Sequence, residues 1–558
     1  MDIKDILRKA IQEVLQNICT KGILNLPEGA QLPEVQLEVP PRKELGDFST
    51  NIAMQASRVL RCNPRIIAQA LVDNLKCEQV QRLEIAGAGF INLYLVNDWP
   101  YQMLASVLDK GADYGNLPKM TSPRIQLEFV SANPTGKLHV GHGRGAAFGS
   151  ALANLMLAAG YNVQKEFYIN DAGTQIENLA KSVNARYLEL LGEACEFPEN
   201  GYHGEDIIST AKNIIDQDGS KYLNVSEEER LIIFKEIALV EKLNGLKQDL
   251  AEFGVTFDNW FSERSLYRED KINKACTVLT EKGYLYEQDG AKWLRSTDFG
   301  DDKDRVVIRD NGIPTYLAAD IAYHQNKLER GFDTLINIWG ADHHGYIARV
   351  KAAIAALGYK AEALEVLILQ MVSLYRDGQM VKMSKRTGQS ITLSELIEEV
   401  GKDAARYFFV MRSIDSQLDF DLNLAIEKSS DNPVYYVQYA HARICSIFKQ
   451  LQDLGINCSI TKEIDKLQLL THESELNIIK KIGSYEEEIA YAAKERMPHK
   501  IAHYVYELAS LFHTFYNQCR IVGVESDLQQ ARISLISATK VTLIHALGIL
   551  GVTAPERM

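Results

Sequence analysis

Hydrophobic and polar residues alternate with two different periods along this chain, and the changes of period divide it into three parts. Residues 1–115 carry helical spacing at both ends of an extended middle, where Ala86-Gly87-Ala88-Gly89 reads as a turn leading into Phe90-Ile91-Asn92-Leu93. This predicts an α+β unit, closed by the glycine and prolines of residues 115–123. From Arg124 the pattern changes. Residues 125–130 alternate as a strand, a glycine-rich turn opens an apolar helix over 143–160, and a second strand follows at 163–169. Strand, turn, helix, strand predicts a βαβ unit, which builds a parallel sheet with ligands at the strand carboxyl ends.

Residues 180–259 are richer in charge and lack a strand period, which predicts a mostly helical insertion. Strand patterns resume at 293–294, 305–309, 334–339 and 364–375, with helices at 316–330 and 346–357. The expectation for 116–400 is therefore a Rossmann-like, doubly wound α/β sheet split by that insertion. Thr392-Leu393-Ser394-Glu395 is a capping box. Helical spacing then continues through 401–558, predicting an all-α bundle.

Composition narrows the class. A chain of 558 residues exceeds the size at which one core keeps growing, so two to four domains are expected. The formal net charge of −13 opposes indiscriminate coating of nucleic acid and leaves selective binding through local basic patches open. The start, Met1-Asp2-Ile3-Lys4-Asp5, is unlike a signal or transit peptide, and the apolar stretch 146–160 is too short to span a bilayer, so neither export nor a membrane is expected. Cysteines at 19, 62, 77, 195, 276, 445, 458 and 519 form no C-x-x-C pair; they read as thiols of a reducing compartment, the cytoplasm, with no protein-bound metal.

Two segments carry chemistry. Residues 131–145, Ser-Ala-Asn-Pro-Thr-Gly-Lys-Leu-His-Val-Gly-His-Gly-Arg-Gly, lie between a strand and a helix start, where backbone N–H groups and the helix dipole favour an anion. Glycines 141, 143 and 145 fit neither the dinucleotide spacing nor the G-x-x-x-x-G-K-[ST] loop. A His pair at i and i+3 also suits a metal site or two core histidines. The second segment, Lys382-Met383-Ser384-Lys385-Arg386, puts two ammonium groups on a loop, where a point charge can follow a departing anion; alone, it also reads as a solvated basic loop.

The first segment resembles the His-x-Gly-His signature of class I aminoacyl-tRNA synthetases, and the second resembles their Lys-Met-Ser-Lys-Ser loop, with Arg386 in place of the final serine. The resemblance narrows to the arginyl-tRNA synthetase family through residues 128–135, Tyr168-Ile169-Asn170-Asp171-Ala172-Gly173, Tyr316-Leu317-Ala318-Ala319-Asp320, residues 340–345, residues 432–443 and the ending 548–558. It implies catalytic His139, His142, Lys382 and Lys385. ATP, as its Mg²⁺ complex, would be held by Lys137, Gly141, Gly143, Asp342, His343, Met383 and Ser384. Glu128 and Asp320 are expected to clamp the substrate guanidinium, whose planar fork carboxylates match, with Tyr316 against it and Ser131 and Asn133 at the amino-acid end.

Asn51 in an N-terminal tRNA-contacting domain (1–115), and Tyr435, Tyr439 and Arg443 in an anticodon-binding bundle (401–558), are the expected tRNA contacts. The implied partners are arginine, ATP and tRNA(Arg), and the chain is expected to act as a monomer. A small-molecule adenylyltransferase, a silent tRNA-binding paralogue and a cysteinyl-tRNA synthetase are the rival readings. The first needs no bundle, the second no reactive residues, and the third needs a zinc ligand set that scattered cysteines do not supply.

Overall fold

The computed structural model describes residues 3–40, 42–96, 98–381 and 391–558. The loop read as Lys382-Met383-Ser384-Lys385-Arg386 lies outside them. The chain forms two compact units that do not follow chain order: Met1–Tyr114 with Ile447–Tyr485 and Leu511–Thr542, and Gly115–Ser446 with Glu486–Ser510 and Leu543–Met558.

In the first unit a three-stranded antiparallel sheet, in the order Phe48–Thr50, Phe90–Leu95, Val80–Ala86, packs against helices Ile3–Thr20, Ile52–Leu60 and Pro64–Asn74. Leu7, Ile11, Leu15, Ile67, Ile91 and Leu93 fill its core. The glycine turn between the last two strands in sequence is needed, because Gly89 has φ +135° and a Cβ there would meet Pro64 Cβ at 2.9 Å. The later segments join through hydrogen bonds from the Tyr101 hydroxyl to Leu470 O and from the Tyr114 hydroxyl to Ile482 O.

The second unit holds the parallel sheet. Its elements are β1 (Arg124–Glu128), α1 (Val140–Ala158), β2 (Asn162–Ile169), α2 (Thr174–Leu190), α3 (Glu205–Asp218), α4 (Glu227–Glu252), β3 (Asn259–Ser262), α5 (Tyr316–Glu329), β4 (Thr334–Gly340), α6 (Ile347–Leu357), β5 (Leu364–Leu369), α7 (Leu393–Val400) and α8 (Lys402–Val410). The strand order is β5-β4-β1-β2-β3, all parallel. Order reverses between β1 and β4, so their carboxyl ends form the switch point where such sheets open a ligand crevice. α1 is apolar on every side and almost wholly buried, as a helix between packed layers must be. It approaches β1 closely at Gly149, where a Cβ would fall 2.8 Å from Phe129 Cβ.

Three expectations are corrected. The strands near 293–294 and 305–309 are Ala291–Leu294 and Arg305–Ile308, which with Leu285–Gln288 make a separate antiparallel sheet. The run 364–375 is two strands: β5 ends at Leu369, and Val372–Arg376 pairs instead with Leu418–Asp421 and Gln379–Met380. At the break between them, the buried Arg144 guanidinium donates to Gln370 O at 2.8 Å and Gln370 N donates to Ile414 O at 3.0 Å. The insertion is helical, α2 to α4 around Val183, Tyr187 and Phe234, but its expected end at 259 is β3, which closes the parallel sheet at one edge.

Downstream of α8 the chain is helical apart from Leu418–Asp421. Helix Ser526–Leu550 is long and apolar enough to cross a membrane by composition, yet 67% of its most apolar window is buried inside the protein, as in a core helix.

Candidate active site

The turn between β1 and α1 is built to hold two imidazoles in fixed tautomers. His139 is the N-cap of α1, and its Nδ1 accepts from Gly141 N at 3.1 Å and His142 N at 3.4 Å. His142 Nδ1 in turn accepts from His139 N at 3.3 Å, and the rings stack with centroids 3.7 Å apart. With each Nδ1 used as an acceptor, each Nε2 carries the proton and is left to donate. Burial lowers the pKa of both; His142 falls to about 4, with repulsion from His139 as the lesser cause. Two neutral donors therefore crown a helix N-terminus.

The turn is also stitched to the residues that open α7. Val140 N donates to Ile391 O at 3.2 Å and Leu393 N to Leu138 O at 2.8 Å, pairing His139 with Thr392. Thr392 and Glu395 form the predicted capping box of α7. Gly143 is required for this approach, since a Cβ would meet Leu393 Cδ1 at 2.7 Å. Lys137 is exposed on the same turn, within Coulombic reach of Asp249 of α4.

At the carboxyl end of β1, Val130 and Ser131 have φ of +68° and +42°, a left-handed pair that is costly for a β-branched residue. The kink turns the Ser131 hydroxyl back to donate to Glu128 Oε1 at 2.9 Å and accept from Tyr168 N at 3.2 Å. Asn133 is exposed, and its Oδ1 accepts from Asn170 Nδ2 at 3.1 Å.

Glu128 does not offer the free carboxylate expected of it. Its Oε2 is paired with the buried Lys327 ammonium at 2.5 Å and lies 3.1 Å from the Tyr323 hydroxyl. Glu128 remains the charge that acts most strongly on Asp320, and a second acid, Glu263, buried at the carboxyl end of β3, also lies within Coulombic reach of it. Burial pushes Glu263 up to about 7, aided by the charges of Asp320 and Asp171 and opposed by hydrogen bonds from Tyr168 and Tyr267. Burial likewise pushes Asp320 up to about 6, aided by Glu128 and opposed by the Tyr346 hydroxyl, which donates to its Oδ2 at 2.6 Å. Tyr316 opens α5 and is 70% exposed, within electrostatic reach of Tyr267. The Lys327 ammonium and His343 offset only part of this rise at Asp320, so both carboxyl groups stay above their ordinary range, an arrangement that a further cation would relieve.

Glu263 was missed because its strand is only four residues long and sits at the end of a charged helical stretch; a glutamate directly after Asn259-Trp260-Phe261-Ser262 was the available signal.

Asp342 and His343 lie on the exposed turn after β4, with an Asp342–His343 contact of 3.4 Å. Among the described residues no cluster of three His, Cys, Asp or Glu side chains is arranged to hold a metal ion. Asn51 belongs to the first unit, at the start of helix Ile52–Leu60, and makes no capping bond. Tyr435, Tyr439 and Arg443 form a stack along helix Pro433–Asp453: the two rings lie 6.1 Å apart and nearly parallel, and the guanidinium sits 4.6 Å from the Tyr439 centroid.

A switch-point sheet with a two-histidine helix cap is the architecture of a class I tRNA synthetase. The family model described as "tRNA synthetases class I (R), catalytic domain" matches residues 103–412, flanked by "Arginyl tRNA synthetase N terminal domain" at 2–95 and "DALR anticodon binding domain" at 437–558. Curated relatives called arginine–tRNA ligase include one from Carboxydothermus hydrogenoformans, 53% identical over 94% of both chains, and one from Bacillus subtilis, 50% identical over the full length of both. The solved arginyl-tRNA synthetase of Thermus thermophilus shares the fold over the full length of both chains, with a TM-score of 0.77 at 24% identity. The chain belongs to the arginyl-tRNA synthetase family.

Proposed function

We propose that this chain activates arginine with MgATP and esterifies it to the 2′-OH of the 3′-terminal adenosine of tRNA(Arg). The observation that carries the reading is the pair of cation-seeking carboxyl groups, Asp320 and Glu263, at the same sheet edge as the neutral donors of His139 and His142. The guanidinium lies against Asp320 and Glu128, with Glu263 as a further carboxyl group nearby and Tyr316 against it, and Ser131 and Asn133 hold the ammonium and carboxylate ends. Phosphate oxygens of ATP lie over the α1 N-terminus, near Gly141, Gly143 and Lys137, with Asp342 and His343 towards the adenosine.

The arginine carboxylate, already ionised, attacks the α-phosphate in line and expels pyrophosphate, so no general base is needed. Nε2–H groups of His139 and His142 donate to oxygens that gain charge, and Lys382 and Lys385, with Met383 and Ser384 between them, follow the leaving group. A slot holding two acids rejects neutral side chains, and its planar spacing favours guanidinium over ammonium.

Residues 1–115, with Asn51, contact the body of the tRNA. Residues 116–400 catalyse, and 401–558, with Tyr435, Tyr439 and Arg443, offer aromatic faces to unstacked anticodon bases. The protein acts as a cytoplasmic monomer. Pyrophosphate exchange measured with arginine, lysine and cysteine, with and without tRNA, tests the proposal. Exchange with arginine, dependent on tRNA, is expected; exchange with either other amino acid would overturn the specificity.

A further inference from the structure

α5 is fastened to the sheet by a connected lattice of charges that are buried apart from the partly exposed Arg330. Lys327, two turns after Asp320, is fully buried. Its ammonium donates to Glu128 Oε2 and, at 3.0 Å, to Asn337 Oδ1, and sits 4.4 Å from the Tyr323 ring centroid. The Tyr323 hydroxyl donates to Glu166 Oε1 at 2.7 Å and lies against Glu128 Oε2. Glu166 also receives both terminal nitrogens of Arg330, at 2.6 and 2.9 Å, and Asn259 Nδ2 at 2.5 Å. Asn337 Nδ2 donates to His324 Nε2 at 3.0 Å, and His324 Nδ1 donates to the Asp320 carbonyl at 2.8 Å.

Two carboxylates meet two cations, so the lattice is neutral, and it joins α5 to β4, β1, β2 and β3. Apolar packing of similar volume holds such a helix at least as firmly, because desolvating four charges offsets most of their attraction. What a hydrogen-bonded lattice adds is one fixed geometry. Its two outlets are groups of the proposed arginine slot: Glu128 Oε1 takes the Ser131 hydroxyl, and His324 holds the carbonyl of Asp320. The imidazole turn has no part in it, being held by its own backbone and by residues 391–393.

We infer that Lys327 is a positioning residue for the amino-acid substrate: it sets the register of α5 and the kinked end of β1, and so the spacing of Asp320 from Ser131, without bearing on ATP. Removing its ammonium strands Glu128 beneath the turn, and the two outlets move independently. The inference rests on the arginine-slot reading above.

The test compares four variants of the full chain by aminoacylation kinetics and thermal unfolding. Lys327→Met should raise KM for arginine by roughly tenfold or more, the scale of an ångström-sized misplacement, and leave KM for ATP within about twofold. Tyr323→Phe, which loses one hydroxyl and keeps the packing, should shift KM for arginine the same way by a smaller factor and decides the matter if Lys327→Met fails to fold. Lys242→Met removes another buried ammonium, paired with Asp206 in the insertion; it should lower the unfolding temperature without splitting the two KM values. Equal rises in both KM values, no rise for arginine, or the same split in Lys242→Met would overturn the inference. Asp320→Asn separates the two claims. An unchanged KM for arginine there sinks the slot itself, whereas a large rise there with none in Lys327→Met or Tyr323→Phe sinks the positioning role alone.

Discussion

The Tyr346 hydroxyl donates to Asp320 Oδ2 at 2.6 Å, from a residue 26 positions further along the chain. Burial and Asp320 raise the phenol's pKa, so it stays a donor at every working pH. One oxygen of Asp320 is thus occupied by a fixed group. Tyr346→Phe removes a hydrogen bond to a charged acceptor, worth about 1.5–3 kcal/mol. The arginine kcat/KM should fall by on the order of tenfold or more at neutral pH, with KM for ATP unmoved; equal losses for both substrates would show that the bond acts elsewhere.

Acidity of the slot sets a pH dependence. Glu263 titrates near 7 and Asp320 near 6 in the empty site, both raised first by burial. A guanidinium binds their ionised forms, so apparent arginine affinity should climb with pH through 6 to 7 and level off above that window. His142, near 4, adds no limb in this range. The linkage to stability has the opposite sign. Folded-state pKa values raised above their unfolded values mean that the folded state binds the extra protons, so these groups lower the stability of the unliganded protein as pH rises through the window. Arginine should therefore raise the thermal midpoint more at pH values above the window than below it, and a pH-independent gain would contradict the assignment of these two acids.

Much of the parallel sheet was legible because β1 alternates apolar and polar residues, β4 and β5 are largely apolar runs, and glycine turns mark the start of α1. The two-histidine turn was legible because it is local: cap, helix dipole and imidazoles lie within four residues. What sequence could not give was pairing at a distance. Ala291–Leu294 alternates as any half-buried strand does, and nothing in its pattern names Arg305–Ile308 as its neighbour. Glu128 reads as a free acid until Lys327, 199 residues away, is brought against it. Glu263, a second acid within Coulombic reach of Asp320, follows a strand too short to show a period. Local spacing encodes elements and caps, whereas which charge is cancelled is decided by the packed sheet.

Close helix packing gives a stability contrast between two glycines of α1. A Cβ at Gly149 would fall 2.8 Å from Phe129 Cβ and closer still to its ring, which is buried at the end of β1. At Gly145 the nearest group is Leu369 Cδ2 at 3.4 Å, an ordinary contact. Gly149→Ala should destabilise by about 1–3 kcal/mol through overpacking, while Gly145→Ala should be neutral or gain up to about 1 kcal/mol of helix propensity. Thermal and denaturant unfolding of both variants checks the order; a Gly149→Ala protein as stable as wild type would show that Phe129 yields freely.

His139 does two jobs that one substitution can separate. Its Nδ1 caps α1 by accepting from Gly141 N and His142 N, which leaves its Nε2–H free of that cap and proposed to donate to phosphate. Asparagine is among the best N-cap residues, so Asn at 139 restores an acceptor to the helix while lacking the reach of an imidazole, whereas Ala supplies neither. His139→Asn should unfold close to the wild-type temperature, and His139→Ala should lose about 1 kcal/mol. Both should lose adenylate formation by about 100- to 1,000-fold, the cost of removing one donor aimed at developing charge. Single-turnover pyrophosphate exchange beside calorimetry gives the two numbers. If activity instead tracked stability across the pair, with Asn near wild type in both, the imidazole at this position would be a cap and nothing more.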